Sequence, residues 1–384
     1  MAANIVDILR AAVMTPGSNG RWGLPILIEG EPGTGKTSRI RSEVAEPSAL
    51  HLETLIASIR EPADFLGFPI PAGESIKYAV AAWAQEVVER GEGLVFLDEL
   101  NTAPPAVQAA LLRVVLDGVV GDVELPNRVR FMAAQNSTED AAGGWDLAPP
   151  LANRFGHLKW DAPMVDDWSA WLTSTLDEDD GGTCISAEEQ EAEVEKQWPE
   201  AWSRACGVVT GFLRRRPELL HKMPAADDPA RGKAWPSARS WENGTRAFAS
   251  SIVHGLDADS RDSFVGAFIG MDAAYELISW MNEADLPDPI ELLEGRVEFA
   301  HDPYRLDKTT AVLNACIGFV APEDAENREK RAEVLWCLLA DIVDEAADLV
   351  LAPAQKLAQA RLTKSPKARK ALAKLQPILG LTAS

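Results

Sequence analysis

The chain has 384 residues, 46% of them apolar and 25% charged, which is typical of a globular protein with room for two or three domains. Its formal net charge of −22 argues against nucleic acid as the main partner, because affinity for duplexes depends on neutralising phosphates. We find neither an apolar leader at the N-terminus nor an apolar run of membrane-spanning length, so we expect a cytoplasmic protein without membrane insertion.

The first predicted strand leads into a phosphate-binding loop. Residues Gly30–Thr37 fit the pattern G-x-x-x-x-G-K-[ST], between an apolar run at Leu24–Ile28 and a helical pattern from Ser38 to Val44. In such a loop, backbone N–H groups and the helix N-terminus bind phosphate oxygens. We expect Lys36 to reach the β- and γ-phosphates and the Thr37 hydroxyl to bind Mg²⁺. The predicted nucleotide-binding residues are Gly30, Glu31, Pro32, Gly33, Thr34, Gly35, Lys36, Thr37 and Ser38.

A second predicted strand ends in two acids. The apolar run Leu94–Leu97 is followed directly by Asp98 and Glu99. Parallel strands deliver such carboxylates to the sheet edge at which ligands of open α/β sheets bind. We expect Asp98 to hold Mg²⁺ through water and Glu99 to act as general base toward the attacking water. The acid pair therefore favours hydrolysis over transfer of phosphate to another substrate.

A third predicted strand ends in an amide. Val129–Ala134 is followed by Gln135 and Asn136. An amide just past a central strand can hydrogen-bond both the γ-phosphate and the attacking water, and we assign this role to Asn136. The alternative is that Asn136 only begins a turn.

Strands and helices alternate over residues 1–160 in the manner of a parallel α/β sheet with flanking helices. The remaining predicted elements of this part are a strand at Ala49–Leu52, helices at about 38–46, 75–90 and 104–117, and a hairpin or protruding loop at Gly118–Leu125. After Trp160 the pattern changes to helices joined by polar loops. The sequence therefore predicts three parts, which are an α/β nucleotide-binding core at 1–160, a helical lid at 161–290 and a helical extension at 291–384.

Three further features have a structural interpretation and a functional one. Seven of the twelve tryptophans lie between 160 and 241, which favours an aromatic helical core over a base-stacking site. Seven Lys or Arg and no acid lie between Lys356 and Lys374, which favours a solvated basic helix over a docking surface for an acidic neighbour. The cysteines lack metal-binding spacing, and we expect reduced core thiols at Cys184, Cys206, Cys316 and Cys337.

Taken together, the motifs resemble those of the AAA+ ATPases, and within them the MoxR-like group. Gly30–Thr37 is similar to the family's Walker A loop and Leu94–Glu99 to its Walker B strand. Ala134–Asn136 is similar to the sensor 1 of the MoxR-like group. The resemblance runs nearly continuously through about residues 24–156, and it implies adenine over guanine as the base.

The resemblance also implies two arginines that spacing alone could not assign. Asn101–Leu112 resembles the family's N-x-A-x-x-x-x-Q-x-A-L-L helix, and Leu147–Phe155 resembles its LPEAQLDRF motif. Arg154 then matches the arginine finger that reaches the γ-phosphate held by the adjacent subunit. Pro236–Arg239 is similar to sensor 2, so Arg239 matches the residue that reports phosphate occupancy to the lid. A surface salt bridge is the alternative for Arg154. The match at Arg239 is fainter, because Pro236–Arg239 reads Pro-Ser-Ala-Arg where the family has Ser-Pro-Arg.

Three local comparisons with the family concern surfaces. Gly118–Leu125 matches the insertion that precedes sensor 1 in the family. Phe65–Ile70 lies where a pore-facing loop is expected, although a loop packed under the sheet explains Phe65 and Phe68 equally well. The chain departs from the family at Arg113, where the family often has an acid, and this puts the usual contacts between subunits in doubt.

The resemblance implies an ATP-driven, Mg²⁺-dependent machine that assembles as a homo-oligomeric, hexameric ring and remodels a protein client in the manner of a chaperone. The expected partner carries a von Willebrand factor A domain. The alternative is a nucleic-acid-associated motor or an ATPase subunit of a defence system, against which the acidic charge argues. A third interpretation is a nucleotide-gated binding module that hydrolyses ATP too slowly to act as a motor.

Overall fold

The computed structural model describes residues 3–137, 144–165, 168–169, 185–323, 325–363 and 366–379. Its amino-terminal part contains a five-stranded parallel sheet and two short antiparallel hairpins. The strands are β1 (Ile26–Glu29), β2 (Leu52–Ile56), β3 (Phe68–Ala72), β4 (Ser75–Ala79), β5 (Glu92–Asp98), β6 (Val119–Val120), β7 (Val123–Glu124), β8 (Arg128–Gln135) and β9 (Gly156–Lys159). The sheet has the order β2-β5-β8-β1-β9, which places β8 at its centre, while β3 pairs with β4 and β6 with β7.

The register of the sheet brings the ends of three strands together. Leu27 of β1 and Leu97 of β5 both pair with Ala133 of β8, and Glu29 pairs with Gln135. The residues that follow β1, β5 and β8 therefore meet at one edge, which is the carboxyl edge of the sheet.

Helices cover both faces of this sheet. They are α1 (Ile5–Val13), α2 (Lys36–Arg39), α3 (Ala63–Leu66), α4 (Ala82–Arg90), α5 (Pro105–Asp117) and α6 (Pro149–Ala152), with π-helical turns at Ile40–Ala45 that extend α2. One face, with Phe96, packs against α1 and the π-helical turns, and the other face, with Val95, packs against α4 and α5. Burial on both faces explains why the inner strands are continuous apolar runs.

The rest of the described chain is helical. Its helices are α7 (Ala187–Arg215), α8 (Ala238–Val253), α9 (Ala258–Ile269), α10 (Met271–Ala284), α11 (Pro289–Leu293), α12 (Leu306–Ile317), α13 (Arg328–Ile342), α14 (Ala347–Gln359) and α15 (Pro366–Leu379). A capping box of Ser186 and Glu189 begins α7, as its sequence predicts. The helices α7 and α12 approach closely, since a Cβ at Gly207 would lie 2.6 Å from the carbonyl oxygen of Ala311. The predicted fold class, a parallel α/β core followed by helices, is confirmed, whereas the proposed domain limits stay a prediction.

Local predictions had mixed outcomes. The helix at 104–117 and the hairpin around Gly121-Asp122 are confirmed. The helix predicted over 75–90 is wrong in its first third, because Ser75–Ala79 pairs with Phe68–Ala72 as a strand and helix begins at Ala82. The strand predicted at Ala49–Leu52 begins only at Leu52, because Ala49 has a φ of 53°, which interrupts an extended backbone.

The tryptophans and thiols follow the structural interpretation in part. Trp241 is buried against Phe212, with ring centroids 5.8 Å apart, which supports an aromatic core between the helices. Trp168, in contrast, is 49% exposed. Cys184 and Trp171 lie outside the described residues, and the cysteines within them, Cys206, Cys316 and Cys337, form no disulfide with one another. Among the helices of the described ranges, none is long and apolar enough to cross a membrane.

The basic segment near the carboxyl end is divided between two helices. Lys356 lies in α14, whereas Arg369, Lys370 and Lys374 lie in α15. Lys374 forms an ion pair with Asp344. The solvated-helix interpretation and the docking interpretation of this segment both stay predictions.

Candidate functional site

The predicted phosphate-binding loop connects β1 to α2. Gly33 and Gly35 both have a φ of 78°, a left-handed backbone conformation that costs free energy for any residue with a Cβ. A Cβ at either position would meet no atom within 4 Å, so backbone conformation, not crowding, requires glycine here. The helix that follows begins at Lys36 with Gly35 as its N-cap. The loop therefore directs backbone N–H groups and a helix N-terminus toward one space, as anion binding requires.

Lys36 and Asn136 come from separate motifs and lie side by side. The Lys36 Nζ donates hydrogen bonds to the carbonyl oxygens of Gly30 at 2.8 Å and Glu31 at 2.9 Å, and to Oδ1 of Asn136 at 3.1 Å. Burial lowers the pKa of Lys36, and the nearby carboxylate of Asp98 partly offsets this by raising it. The ammonium thus lies over the loop, held by neutral oxygens that a phosphate can replace.

The predicted magnesium ligands are also adjacent. The hydroxyl of Thr37 donates a hydrogen bond of 2.8 Å to Oδ2 of Asp98, across the gap between α2 and the end of β5. Hydroxyl and carboxylate oxygens are the hard donors that Mg²⁺ prefers, and Mg²⁺ usually takes only one or two of them from the protein. The residues present therefore fit the cation that the motifs imply.

Glu99 has a strained backbone and a partner that the sequence analysis missed. Its φ is 55°, a left-handed conformation that is uncommon for a residue other than glycine, and its N–H bonds Oδ1 of Asp98 at 2.9 Å. The hydroxyl of Ser58 donates a hydrogen bond of 2.6 Å to Oε2 of Glu99. Ser58 follows β2, which is the neighbour of β5. The sequence shows that Ser58 is a polar residue near the end of a strand. That Ser58 lies beside Glu99 follows only from the strand order, which places β2 next to β5.

The backbone of Asn136 is fixed by the neighbouring turn. The side-chain amide of Asn101 donates to the carbonyl oxygen of Asn136 at 2.9 Å. One residue earlier, Gln135 donates to Oε2 of Glu29 at 2.6 Å. These two bonds hold the end of β8 against the ends of β5 and β1, where Asn136 meets Lys36.

A cavity of about 200 Å³ adjoins the loop. Its walls include Gly33, Gly35 and Ser38 on one side and Pro163 and Trp168 on the other. The recess is partly apolar and adjoins the loop that is predicted to bind phosphates. Trp168 was among the tryptophans that the sequence assigned to the helical core, and its exposure contradicts that assignment.

Arg154 and Arg239 lie together, away from Lys36. Both line a cleft that also contains Pro25 and Val129, residues at the amino ends of β1 and β8. Burial lowers the pKa of Arg154, the Arg239 charge lowers it further, and Asp117 raises it. The structure therefore does not bring Arg239 to the phosphate loop of its own subunit, where a sensor that acts on the same subunit's nucleotide would lie.

Hydrogen bonds join the segments that carry the two arginines. The hydroxyl of Ser237 donates to Oδ1 of Asn153 at 2.8 Å, and Nδ2 of Asn153 donates to the carbonyl oxygen of Trp235 at 3.3 Å. The Arg154 guanidinium itself donates to the carbonyl oxygen of Pro150. Arg154 and Arg239 are thus positioned as a pair.

The segment compared with a pore loop divides between the two interpretations. Phe65 is fully buried, with its ring centroid 6.1 Å from that of Trp83. Phe68 is 46% exposed on β3, and Ile76 on the paired strand β4 is 65% exposed. The packed interpretation is correct for Phe65 and wrong for Phe68.

Comparisons with known proteins add to this geometry. No protein-family model matches the chain. Midasin of Giardia intestinalis is 27% identical over 164 residues, which are 41% of this chain and 3% of midasin. The match concerns sequence alone, whereas the strand order, the phosphate loop and the acid pair are features of this chain's own structure. Over those 164 residues the chain is similar to midasin.

A solved structure also superposes on the chain. It is that of a protein of Cytophaga hutchinsonii described as a "putative ATPase", at 18% identity and a TM-score of 0.48, over 70% of this chain and 81% of that one. The catalytic roles of the individual residues at the carboxyl edge of the sheet stay predictions.

Proposed function

We propose that the chain binds ATP with Mg²⁺ and hydrolyses it. The observation that carries this proposal is the convergence of Lys36, the Thr37–Asp98 pair, Glu99 and Asn136 at the carboxyl edge of one parallel sheet. These residues come from three separate strand ends, and a nucleotide triphosphatase needs each of their functional groups.

The residues divide the work as follows. The loop N–H groups and Lys36 bind the phosphates, and Lys36 exchanges its carbonyl partners for phosphate oxygens. Thr37 and Asp98 hold Mg²⁺, which neutralises phosphate charge when bound. Asn136 orients the attacking water and the γ-phosphate, and Glu99 accepts a proton from that water. The cavity beside Trp168 takes the base, for which the AAA+ resemblance implies adenine.

We further propose that the chain works as a ring of identical subunits, with six as the expected number. Arg154 and Arg239 lie at the amino ends of β1 and β8, whereas Lys36 lies at the carboxyl ends. A head-to-tail contact that joins these opposite edges would complete each site with the neighbour's arginines, and repetition of that contact closes a ring. An arginine supplied in this way stabilises transition-state charge and contributes roughly 10³–10⁵-fold to turnover.

The work of such a ring is proposed to be the remodelling of a protein client, in the manner of a chaperone. The hairpin of β3 and β4 supports this, because it exposes Phe68, Ile70, Ile76 and Tyr78, each at least 43% exposed. Exposed apolar groups on a short hairpin are suited to gripping another polypeptide. A partner with a von Willebrand factor A domain remains a proposal that rests on the MoxR-like resemblance.

Steady-state ATP hydrolysis with and without Mg²⁺ tests the proposal. The wild-type chain is compared with Glu99→Gln and with Glu74→Gln, a matched change at an exposed glutamate of the β3–β4 turn. We expect Glu99→Gln to retain ATP and lose hydrolysis, while Glu74→Gln matches the wild type. Equal turnover in all three proteins would contradict the assignment of Glu99, and stimulation by DNA but not by protein would favour a nucleic-acid motor.

A further inference from the structure

A second cluster of chemically active side chains lies at the edge of the sheet. His51 immediately precedes β2, Glu53 lies on that strand, and Glu86 lies on α4. The Nε2 of His51 is 3.4 Å from Oε1 of Glu86 and 3.9 Å from Oε2 of Glu53, and the three atoms all lie within 4.8 Å of one another. His51 and Glu53 are partly buried. The cluster is at the amino end of β2, so it does not belong to the nucleotide site at the carboxyl ends.

The two distances from His51 are close to those between ligands around a small cation. Atoms that bind zinc tetrahedrally at about 2.0–2.1 Å lie about 3.3 Å from one another. The His51–Glu86 distance of 3.4 Å is close to this value. The His51–Glu53 distance of 3.9 Å is longer, and a small rotation of the Glu53 side chain would shorten it. One imidazole and two carboxylates leave a fourth position for water, a ligand set that suits zinc and related transition metals.

The second observation concerns the hydrogen bonding of the His51 imidazole. Nε2 of His51 is shielded from solvent and has no hydrogen-bond partner, although it faces two carboxylates. A buried ring nitrogen without a partner is costly, and a bound cation removes that cost. Pairing of His51 with the two glutamates in the absence of a metal is the competing explanation.

The three side chains come from elements that hold them in place. The carbonyl oxygen of His51 accepts a hydrogen bond from the N–H of Leu94 at 2.7 Å, which fixes the start of β2 to β5. Trp83 and Val87 bury α4 against the core, so Glu86 has a defined position. Arg90 also contacts Oε1 of Glu86, at 3.0 Å, but its side chain is half exposed and such surface pairs are weak competitors.

We propose that His51, Glu53 and Glu86 bind a divalent transition-metal ion, with Zn²⁺ as the reference ion, at a site separate from that of the nucleotide. Binding would link β2 to α4 and stabilise the edge of the sheet. Mg²⁺ would not replace it, because Mg²⁺ prefers oxygen ligands over imidazole.

The test uses the full chain, stripped of metals with a chelator and kept free of nucleotide. Zn²⁺ binding is measured by equilibrium dialysis in millimolar Mg²⁺, on the wild type, His51→Ala, Glu86→Gln and Glu89→Gln. Glu89 is an exposed glutamate on the same helix and serves as the matched control. We expect one bound Zn²⁺ in the wild type and Glu89→Gln, and at least tenfold weaker binding in the other two. Thermal melting of each protein without metal checks that the variants fold.

Cobalt supplies an independent readout. Co²⁺ at a four-coordinate site gives intense visible absorption, which we expect in the wild type and not in His51→Ala. The proposal is overturned if the wild type binds no Zn²⁺, or if His51→Ala and Glu86→Gln bind it as the wild type does, since the ion would then be held by cysteines or by the Asp98 site.

Discussion

The hydroxyl of Ser58 donates a hydrogen bond of 2.6 Å to the carboxylate of Glu99, the proposed general base. The bond joins the segment that follows β2 to the residue that follows β5. It occupies Oε2, which is one of the two carboxylate oxygens that could accept a proton from water. It also draws the carboxylate toward β2. In the described structure Oε2 of the proposed base is therefore engaged with the protein, and we expect weakening of this bond to favour turnover.

Replacement of Ser58 by alanine should raise the basal rate of ATP hydrolysis. A hydrogen bond to a charged group contributes about 1.5 kcal/mol, so its loss corresponds to an increase of up to about tenfold. Ser58→Thr retains the hydroxyl and should remain close to the wild type. Steady-state kinetics on the three proteins decides this, and a Ser58→Ala rate at or below that of the wild type would mean that the bond orients Glu99 for catalysis.

Replacement of Ser237 by alanine should uncouple the two arginines. The Ser237–Asn153 bond links the segment of Arg239 to that of Arg154, so its loss should lower turnover in the assembled protein several-fold. Nucleotide affinity of the separate subunit should not change, because Lys36 lies at the other edge of the sheet. Titration with a fluorescent ATP analogue measures affinity beside turnover, with Ser42→Ala on the exposed surface as control. An equal loss of affinity and turnover would contradict this division.

A buried ion pair should hold the helical part against the sheet. Arg130 of β8 has no exposed side-chain surface and pairs with Glu191 of α7, which is 7% exposed. Removal of one partner leaves a buried charge unpaired, so Glu191→Gln should lower the free energy of unfolding by about 3 kcal/mol. Glu188→Gln is the matched control, since Glu188 is exposed and its ion-pair distance to Arg128 is long, at 4.0 Å. Urea unfolding compares them, and equal midpoints would contradict a stabilising role for the pair.

The thiols of Cys206, which is partly buried, and Cys316, which is buried, should resist alkylation. Burial raises the pKa of Cys316 to about 12 and that of Cys206 to about 11, so at pH 8 both remain protonated, and the thiolate is the reactive form. Iodoacetamide followed by mass spectrometry should modify these two cysteines only after unfolding. Rapid modification of Cys316 in the native protein would show that α12 opens readily.

The sequence predicted those parts of the site that local pattern determines. A phosphate loop and a strand that ends in acids have fixed spacing, and a parallel sheet brings such strand ends together, so the meeting of Lys36, Asp98 and Asn136 could be anticipated. Ser58 could not be, because its partner is set by the order of β2 and β5. Its neighbour in space is 41 residues away in the chain.

Two other features depended on tertiary packing. Ser75–Ala79 has a composition compatible with helix or strand, and pairing with Phe68–Ala72 decides for strand. The position of Arg239 depends on how the helical part lies against the core, which no local pattern specifies. The motif alone therefore left open which subunit's nucleotide Arg239 serves, and the sensor role of Arg239 stays a prediction.

Mixing two inactive variants tests the central claim most directly. Lys36→Ala lacks a working phosphate loop, and Arg154→Ala lacks the arginine proposed to serve the neighbour. Each alone should be inactive, but a mixed ring contains sites with an intact loop from one variant and Arg154 from the other. Random mixing in equal amounts should make about one quarter of the sites active. Recovery of hydrolysis on mixing is the predicted result, whereas a mixture as inactive as its components, or an Arg154→Ala protein with full activity alone, would contradict a site shared between subunits.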